Sequence, residues 1–187
     1  MALILASGSP RRKELLSYIT PDFEIRVSDA EEKTEPGLSP AETVISLAGQ
    51  KADAVLPTLG SGDVLISADT VVYINGDILG KPHSREEAFD MLSSLSGRRH
   101  TVFTGVCITD GKKRVGFAER TEVEFFELSD EDVNAYIDSG EPFDKAGGYG
   151  IQGKGALLVK GINGDFYNVM GFPIGRISRE LKSFDIP

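Results

Sequence analysis

The sequence predicts a mixed α/β fold whose sheet is partly antiparallel. Three observations point there. Short runs rich in β-branched and aromatic residues alternate with segments that open on helix-start signals. Asn-Gly and Asp-Gly pairs sit inside "INGDI" and "TDGKK", where they predict tight hairpins. A pure doubly wound parallel sheet needs a helix in nearly every connection, and such turns leave no room for one. The length, 187 residues, suits a single domain over 1–187, with division into two lobes left open.

In chain order, "ALILA" reads as the first strand. Pro10 then opens a helix carrying "RRKELLSYI", and "FEIRV" reads as a second strand. "DAEEKTEPGLSPAE" is polar and contains Pro and Gly, so a long surface loop is expected. At its end Ser39 is an N-cap, Pro40 the first helical residue and Glu42 the answering acid, a capping box ahead of "TVISLAGQKADAVL". "VLISADTVVYI" is a strand. "SREEAFDMLSSLSG" repeats the helix logic, with Ser84 capping, Glu87 answering and Gly97 stopping it. "HTVFTGVCIT" and "RVGFAERTEVEFFEL" read as strands, "SDEDVNAYIDSG" as a helix and "ALLVKGI" as a last strand. "PIGRISRELKSF" reads as the closing helix.

Composition narrows the class. No apolar run approaches the ~20 residues of a membrane span, and no basic segment followed by a long apolar stretch marks a signal peptide. The single cysteine, Cys107, excludes an internal disulfide and reads as a small buried hydrophobe. A cytoplasmic protein without membrane contact is expected. The net charge of −9 argues against nucleic acid as a general partner, which calls for a basic face. It leaves room for a small anionic substrate held by a local cluster of Arg and Lys. A homodimer is left open.

"GYGIQGKG" matches two famous patterns and fails both. Gly148, Gly150 and Gly153 give G-x-G-x-x-G, and Gly148, Gly153 and Lys154 give most of a P-loop. Each motif needs a strand before it and a helix after it, and the flanking "EPFDKAG" and "ALLVKGI" supply neither. Gly155 also stands where a P-loop needs Ser or Thr. The glycines are expected to shape an irregular loop that brings backbone close to something.

Chemistry is expected elsewhere. In "SGSPRR" a strand end, a small-residue turn and a helix start present backbone N–H groups, and Ser7 and Ser9 add hydroxyls. Arg11 and Arg12 add planar forks suited to phosphate oxygens. The competing reading is a plain Ser-Pro helix start with two solvated arginines. In "ISADTVV", Asp69 and Thr70 interrupt an apolar strand. An unpaired buried carboxylate is costly, so Asp69 must sit at a bulge or strand mouth, pair with a cation or bind a metal. "LGKPHS" places Lys81 in a short link, and "EPFDKAGGYGIQG" gathers Asp144, Lys145 and Gln152 among glycines. His83 and His100 are isolated, so no zinc site is expected, and no G-x-S-x-G elbow marks a serine hydrolase. Cations for phosphate charge, carboxylates and Gly loops together suit metal-assisted phosphoryl chemistry.

The ordered set "LASGSPRRKELL", "SADTVV", "GKP", "SGRRHTVFTGV", "EPFDKAGGYGIQGKG" and "INGDFYNVMGFP" resembles the Maf family of nucleotide pyrophosphatases over nearly the whole chain. The resemblance implies an elongated α/β fold with flanking helices and a cleft between two lobes, related to the inosine triphosphate pyrophosphatases. It implies hydrolysis of nucleoside triphosphates to the monophosphate and pyrophosphate with a divalent metal, Mg or Mn. The "GYGIQG" loop is similar to that of the branch preferring dTTP and UTP. By the same resemblance Ser7, Arg11, Arg12, Lys51 and Lys81 bind phosphates. Arg12, Thr70 and Gln152 set substrate preference. Asp69 acts as proton acceptor or metal ligand, and Glu32, or its neighbour Glu31, lies near the metal. The family has also been linked to arrest of septum formation, so a nucleotide-binding regulator of cell division is the alternative.

Overall fold

A computed structural model describes residues 2–27 and 32–186. Glu31, the alternative to Glu32, lies outside the described residues. Strand β1 (Leu3–Leu5) leads into helix α1 (Pro10–Ser17), then strand β2 (Glu24–Ile25) and helix α2 (Pro40–Val55). The long strand β3 (Val64–Ile74) turns into β4 (Asp77–Leu79), and helix α3 (Arg85–Leu95) follows. Strands β5 (Arg99–Thr109) and β6 (Arg114–Phe125) precede α4 (Asp130–Ile137). Strand β7 (Val159–Asn163), the short α5 (Phe166–Val169) and α6 (Ile174–Leu181) complete the order. Among the described residues no helix is long and apolar enough to cross a membrane.

The seven strands form one mixed sheet in the order β2-β1-β3-β5-β6-β7, with β4 paired to β3. β1 pairs in parallel with both β2 and β3, so each of those connections needs a crossover, and α1 and α2 supply them. The antiparallel β3–β4 pair follows the Asn-Gly turn read in the sequence. Asn75 and Gly76 both adopt positive φ between β3 and β4, as a primed hairpin turn requires. β6 and β7 are antiparallel, with a register irregularity at Glu124/Phe125.

The helix starts are as expected in detail. Ser9, Ser39, Ser84 and Ser129 cap α1 to α4, with full capping boxes at Ser39–Glu42 and Ser129–Asp132. One differs. The Glu87 carboxylate accepts from the His83 N–H instead of returning to Ser84. Three strand readings also shrink or shift. "FEIRV" contributes only Glu24–Ile25, and β6 stops at Phe125. In "ALLVKGI" the strand begins at Val159, because residues Gly153–Leu157 wind into 3-10 turns. The Glu141 carboxylate accepts from the N–H groups of Lys154 and Gly155, which takes those donors away from any ladder.

The chain divides into two compact units, one made of residues 1–69, 104–119 and 171–187, the other of 70–103 and 120–170. In the first unit Ile4, Ala6, Ala48, Ala52, Val55, Leu65 and Cys107 pack together, so Cys107 is the buried hydrophobe expected. Gly105 of β5 lets α2 lie close, since a Cβ there would stand 2.2 Å from the Val44 carbonyl oxygen. This close approach holds α2, and with it Lys51, against the sheet.

The second unit is built around Val72, Leu92, Leu95, Val123, Phe125, Val133 and Tyr149. Asn168 donates to the Val102 carbonyl and to Thr121 Oγ1, tying β5 to β6 from inside. His100 is buried here as well, with Nε2 2.7 Å from the Tyr149 hydroxyl. Its Nδ1 is buried without a hydrogen-bond partner among the described residues. Burial pushes the His100 pKa down to about 4 from 6.5. The unfolded chain therefore takes up a proton near pH 6.5 that the folded chain refuses until about pH 4. Stability rises with pH across that window and is lost as pH falls through it, by about 3 kcal/mol for a shift of this size. Denaturant unfolding of His100→Gln beside the parent should show a shallower loss of stability between pH 6.5 and 4. Parallel pH profiles would place the titration elsewhere.

Candidate functional site

The site in the first unit exists because β1 is short and β3 is long. β1 pairs with β3 only as far as Leu5–Ile66, with one more bond from the Ala6 N–H to the Ile66 carbonyl at 2.8 Å. Beyond that point the chain leaves the sheet for the turn "SGSP" and α1, while β3 runs on through Ser67, Ala68 and Asp69. Polar backbone and side-chain groups of β3 are thereby opened on one edge. The anomaly of a carboxylate in an apolar strand is resolved as a strand mouth created by the neighbour's end.

Arg12 fills much of that edge. Its Nη1 donates to the Ala68 carbonyl at 2.7 Å and to Ser7 Oγ at 3.3 Å, and its Nε donates to the Gly171 carbonyl at 2.9 Å. The guanidinium thus ties the β1 exit, the β3 edge and the turn before α6. Burial pushes its pKa down from the ordinary value, while the charge of Asp69 works in the opposite direction. Ser7 Oγ also accepts from the Ser9 N–H at 3.3 Å, and its own proton can be donated outward. Arg11 is half-buried on the same first turn. The charge pattern of this turn is unusual. α2, α3 and α4 carry acids in their first turns, which suits the positive end of a helix, whereas α1 carries two arginines and no acid. Such a turn favours an anion.

The Lys51 ammonium stands 2.5 Å from Asp69 Oδ1 and 3.0 Å from Glu32 Oε1. The side chains of Lys51 and Asp69 are 16% and 13% exposed and that of Glu32 45%, so the first two form an interior pair and Glu32 the rim. Lys51 is carried by α2, whose Ala48 carbonyl accepts from Ser67 Oγ of β3 at 2.6 Å. Gln50 places Glu32. Its carboxamide accepts from the Lys33 N–H at 2.9 Å and donates to the Lys33 carbonyl at 2.8 Å, pinning the loop to α2. Among the described residues no group of three or more His, Cys, Asp or Glu converges on one point. A groove of about 680 Å³ elsewhere on this unit, lined by Lys33, Gln50, Asp53, Cys107 and Arg114, contains none of the predicted site residues.

Ser7, Arg12, Glu32, Lys51 and Asp69 are therefore brought together, with Arg11 adjacent in sequence. Thr70, Lys81 and Gln152 belong to the second unit. Thr70 follows Asp69 directly, and strand alternation turns its side chain to the other face. Lys81 is exposed in the link after β4, where the preceding Gly80 carbonyl accepts from the Gly147 N–H at 2.8 Å. Gln152 is exposed beside Gly153 in the glycine loop. The loop has the irregular form expected. Gly147, Gly148 and Gly153 adopt positive φ, and a Cβ on Gly147 would stand 2.7 Å from Val72 Cγ2.

Sequence reasoning missed Gln50, Glu141, Tyr149 and the role of His100. Glu141 and Gln50 act on backbone N–H and carbonyl groups, which leave no trace in residue type. Tyr149 had a signal, an aromatic residue among five glycines, that was read only as loop.

Comparison with known proteins identifies the family. The family model described as "Maf-like protein" matches residues 2–184. A Bacillus cereus (strain ATCC 14579) protein named dTTP/UTP pyrophosphatase is 54% identical over 184 residues, covering 98% of this chain and 96% of its own. A Bacillus anthracis protein of the same name is 53% identical over the same span and shares. Among solved structures, a HAM1 protein from Coxiella burnetii aligns with a TM-score of 0.51 at 18% identity, covering 98% of this chain and 100% of that one, a likeness of fold. With a family match across residues 2–184 and relatives more than half identical over that length, the chain belongs to the Maf-like protein family.

Proposed function

We propose that this protein is a nucleoside triphosphate pyrophosphatase acting on dTTP and UTP. The observation that carries the reading is the triad of Lys51, Asp69 and Glu32 beside the arginine-rich start of α1. The names of the relatives, at 54% and 53% identity, agree with it.

The geometry suggests how the work is divided. The triphosphate lies against the α1 start, where backbone N–H groups, the Ser7 hydroxyl and Arg11 take its oxygens, and family resemblance assigns Lys81 to phosphate as well. Arg12, engaged by three oxygens of the protein, shapes this cradle and adds its charge. Lys51 meets the charge that grows on the leaving pyrophosphate as water attacks the α-phosphorus. Asp69 Oδ1 is engaged by Lys51, and its second oxygen orients that water or accepts its proton.

A divalent cation, Mg or Mn, fits the donors present. Asp69 and Glu32 are hard oxygen ligands, and one or two carboxylates completed by substrate phosphates and water are how such ions are usually held. The ion would neutralise phosphate charge in the transition state. The substrates and the absence of a disulfide pair agree with a cytoplasmic setting.

Gln152 is assigned to the base. A carboxamide offers an acceptor beside a donor, which matches the N3–H and O4 of uracil and thymine. An amide can also turn to suit cytosine; the family resemblance assigns Thr70 and Arg12 a share in the selection.

Two expectations test the proposal. dTTP and UTP should yield pyrophosphate and the monophosphate, with turnover abolished by EDTA. Asp69→Asn should lower kcat by about 10²–10⁴-fold. Its fold should persist, because Lys51 keeps Glu32 at 3.0 Å. Orthophosphate as the first product, or a variant within a few-fold of the parent, would refute the assignment. Gln152→Ala should bring kcat/KM for UTP and dTTP down toward the GTP value by about ten- to a hundredfold, the loss expected for a polar match that the bound base covers. Unchanged ratios among UTP, dTTP, CTP and GTP would remove Gln152 from base recognition.

A further inference from the structure

We propose that His100 and Tyr149 are positioning residues that hold the glycine loop so that Gln152 meets the base. The inference rests on the reading of Gln152 given above and extends it to two side chains that never touch the nucleotide.

The segment from Gly147 to Gly155 has five glycines in nine residues and little regular structure. Such a chain has many conformations to lose, and Gln152 can present its amide at one height only if the loop is fastened. The fastenings are visible. The Gly147 N–H donates to the Gly80 carbonyl, and the Gly150 N–H donates to the Tyr136 hydroxyl at 3.1 Å. Lys154 and Gly155 are held by Glu141. Between them, Tyr149 sends a large ring into the core, where it is 5% exposed and meets Phe125 edge-on at 4.7 Å and His100 at 5.3 Å. The Tyr149 hydroxyl and His100 Nε2 are 2.7 Å apart.

This pair is an odd choice for stability alone. The surrounding cluster is apolar, and two apolar rings would pack there with no polar group to desolvate. Instead His100 is buried with Nδ1 unpartnered among the described residues. Counting protons favours Tyr149 donating to Nε2, since the reverse arrangement would leave the phenolic proton without an acceptor as well. What the hydrogen bond adds over apolar packing is direction. It fixes how deep Tyr149 sits and how its ring is turned, and Gln152 is three residues further along the chain. The Gly147–Gly80 bond extends the same constraint to the residue before Lys81.

Tyr149→Phe deletes only the hydroxyl and keeps the ring contacts. Backbone hydrogen exchange at residues 147–155 should speed up in this variant while the sheet keeps its protection. The UTP-to-GTP ratio of kcat/KM should fall about tenfold, carried by a higher KM for UTP at nearly constant kcat. His100→Phe should reproduce both effects. His100→Gln, whose amide reaches the place of Nε2, should restore both toward the parent, which a merely destabilised core would not do. The double variant Tyr149→Phe/His100→Phe should be no worse than either single one. Loop exchange unchanged in Tyr149→Phe would overturn the inference. So would an unchanged ratio in that variant when Gln152→Ala collapses it. If Gln152→Ala itself leaves the ratio unchanged, the base reading fails, and the positioning role is decided by the exchange measurement alone.

Discussion

The Asp69 carboxylate in the middle of β3 is the constraint on which the first unit of this molecule depends. A charge in a strand between apolar runs is costly, and at this strand mouth a cation offsets the cost. Lys51 is that cation, and several features exist to deliver it. The capping box at Ser39 fixes where α2 begins, and Gly105 lets α2 settle against the sheet. The Ser67–Ala48 hydrogen bond then sets its height along β3. Glu32 is the third member, so the lysine is shared between two acids and the cluster keeps a net negative charge. An acidic cluster beside an arginine-rich helix start places cation-seeking and anion-seeking groups side by side in space. That juxtaposition suits a metal-bearing polyphosphate better than either a bare anion or a bare metal.

Arg12 is architectural by its contacts, and the proposed function gives it a second role. Three protein oxygens hold its fork, and these come from chain segments far apart in sequence. Replacing it with lysine would keep the charge and lose the planar fork that reaches all three. The same geometry ties down the turn that presents Ser7 and the α1 N–H groups, so the phosphate cradle proposed here would be set before substrate arrives. Pre-set dipoles of this kind are what makes electrostatic stabilisation of a transition state effective.

Much of this was legible in the sequence, for identifiable reasons. Helix starts at Ser9, Ser39, Ser84 and Ser129 and the Asn75-Gly76 turn are local events, decided by residues within three or four positions. Asp69 announced itself because its burial demanded compensation. Its partners did not, since Lys51 and Glu32 lie 18 and 37 positions away and look like ordinary surface charges. The parts that resisted reading are those where a side chain answers backbone. Gln50 on Lys33, Glu141 on the 154–155 amides and Arg12 on Ala68 and Gly171 all have acceptors or donors that every residue possesses. The misplacement of the start of β7 has the same origin. "ALLVKGI" has strand composition, but Glu141 had already claimed the amides just before it. His100 looked isolated because its partners, Phe125 and Tyr149, come from a neighbouring strand and from the glycine loop.

Asp69 and the groups around it are assigned to one event, delivery of water to the α-phosphorus. Turnover of UTP in water enriched in heavy oxygen, followed by mass spectrometry of both products, tests that assignment most directly. We expect the heavy atom in the uridine monophosphate and none in the pyrophosphate. Label in the pyrophosphate would mean attack at the β-phosphorus and would contradict the arrangement of Asp69 and Lys51 described here.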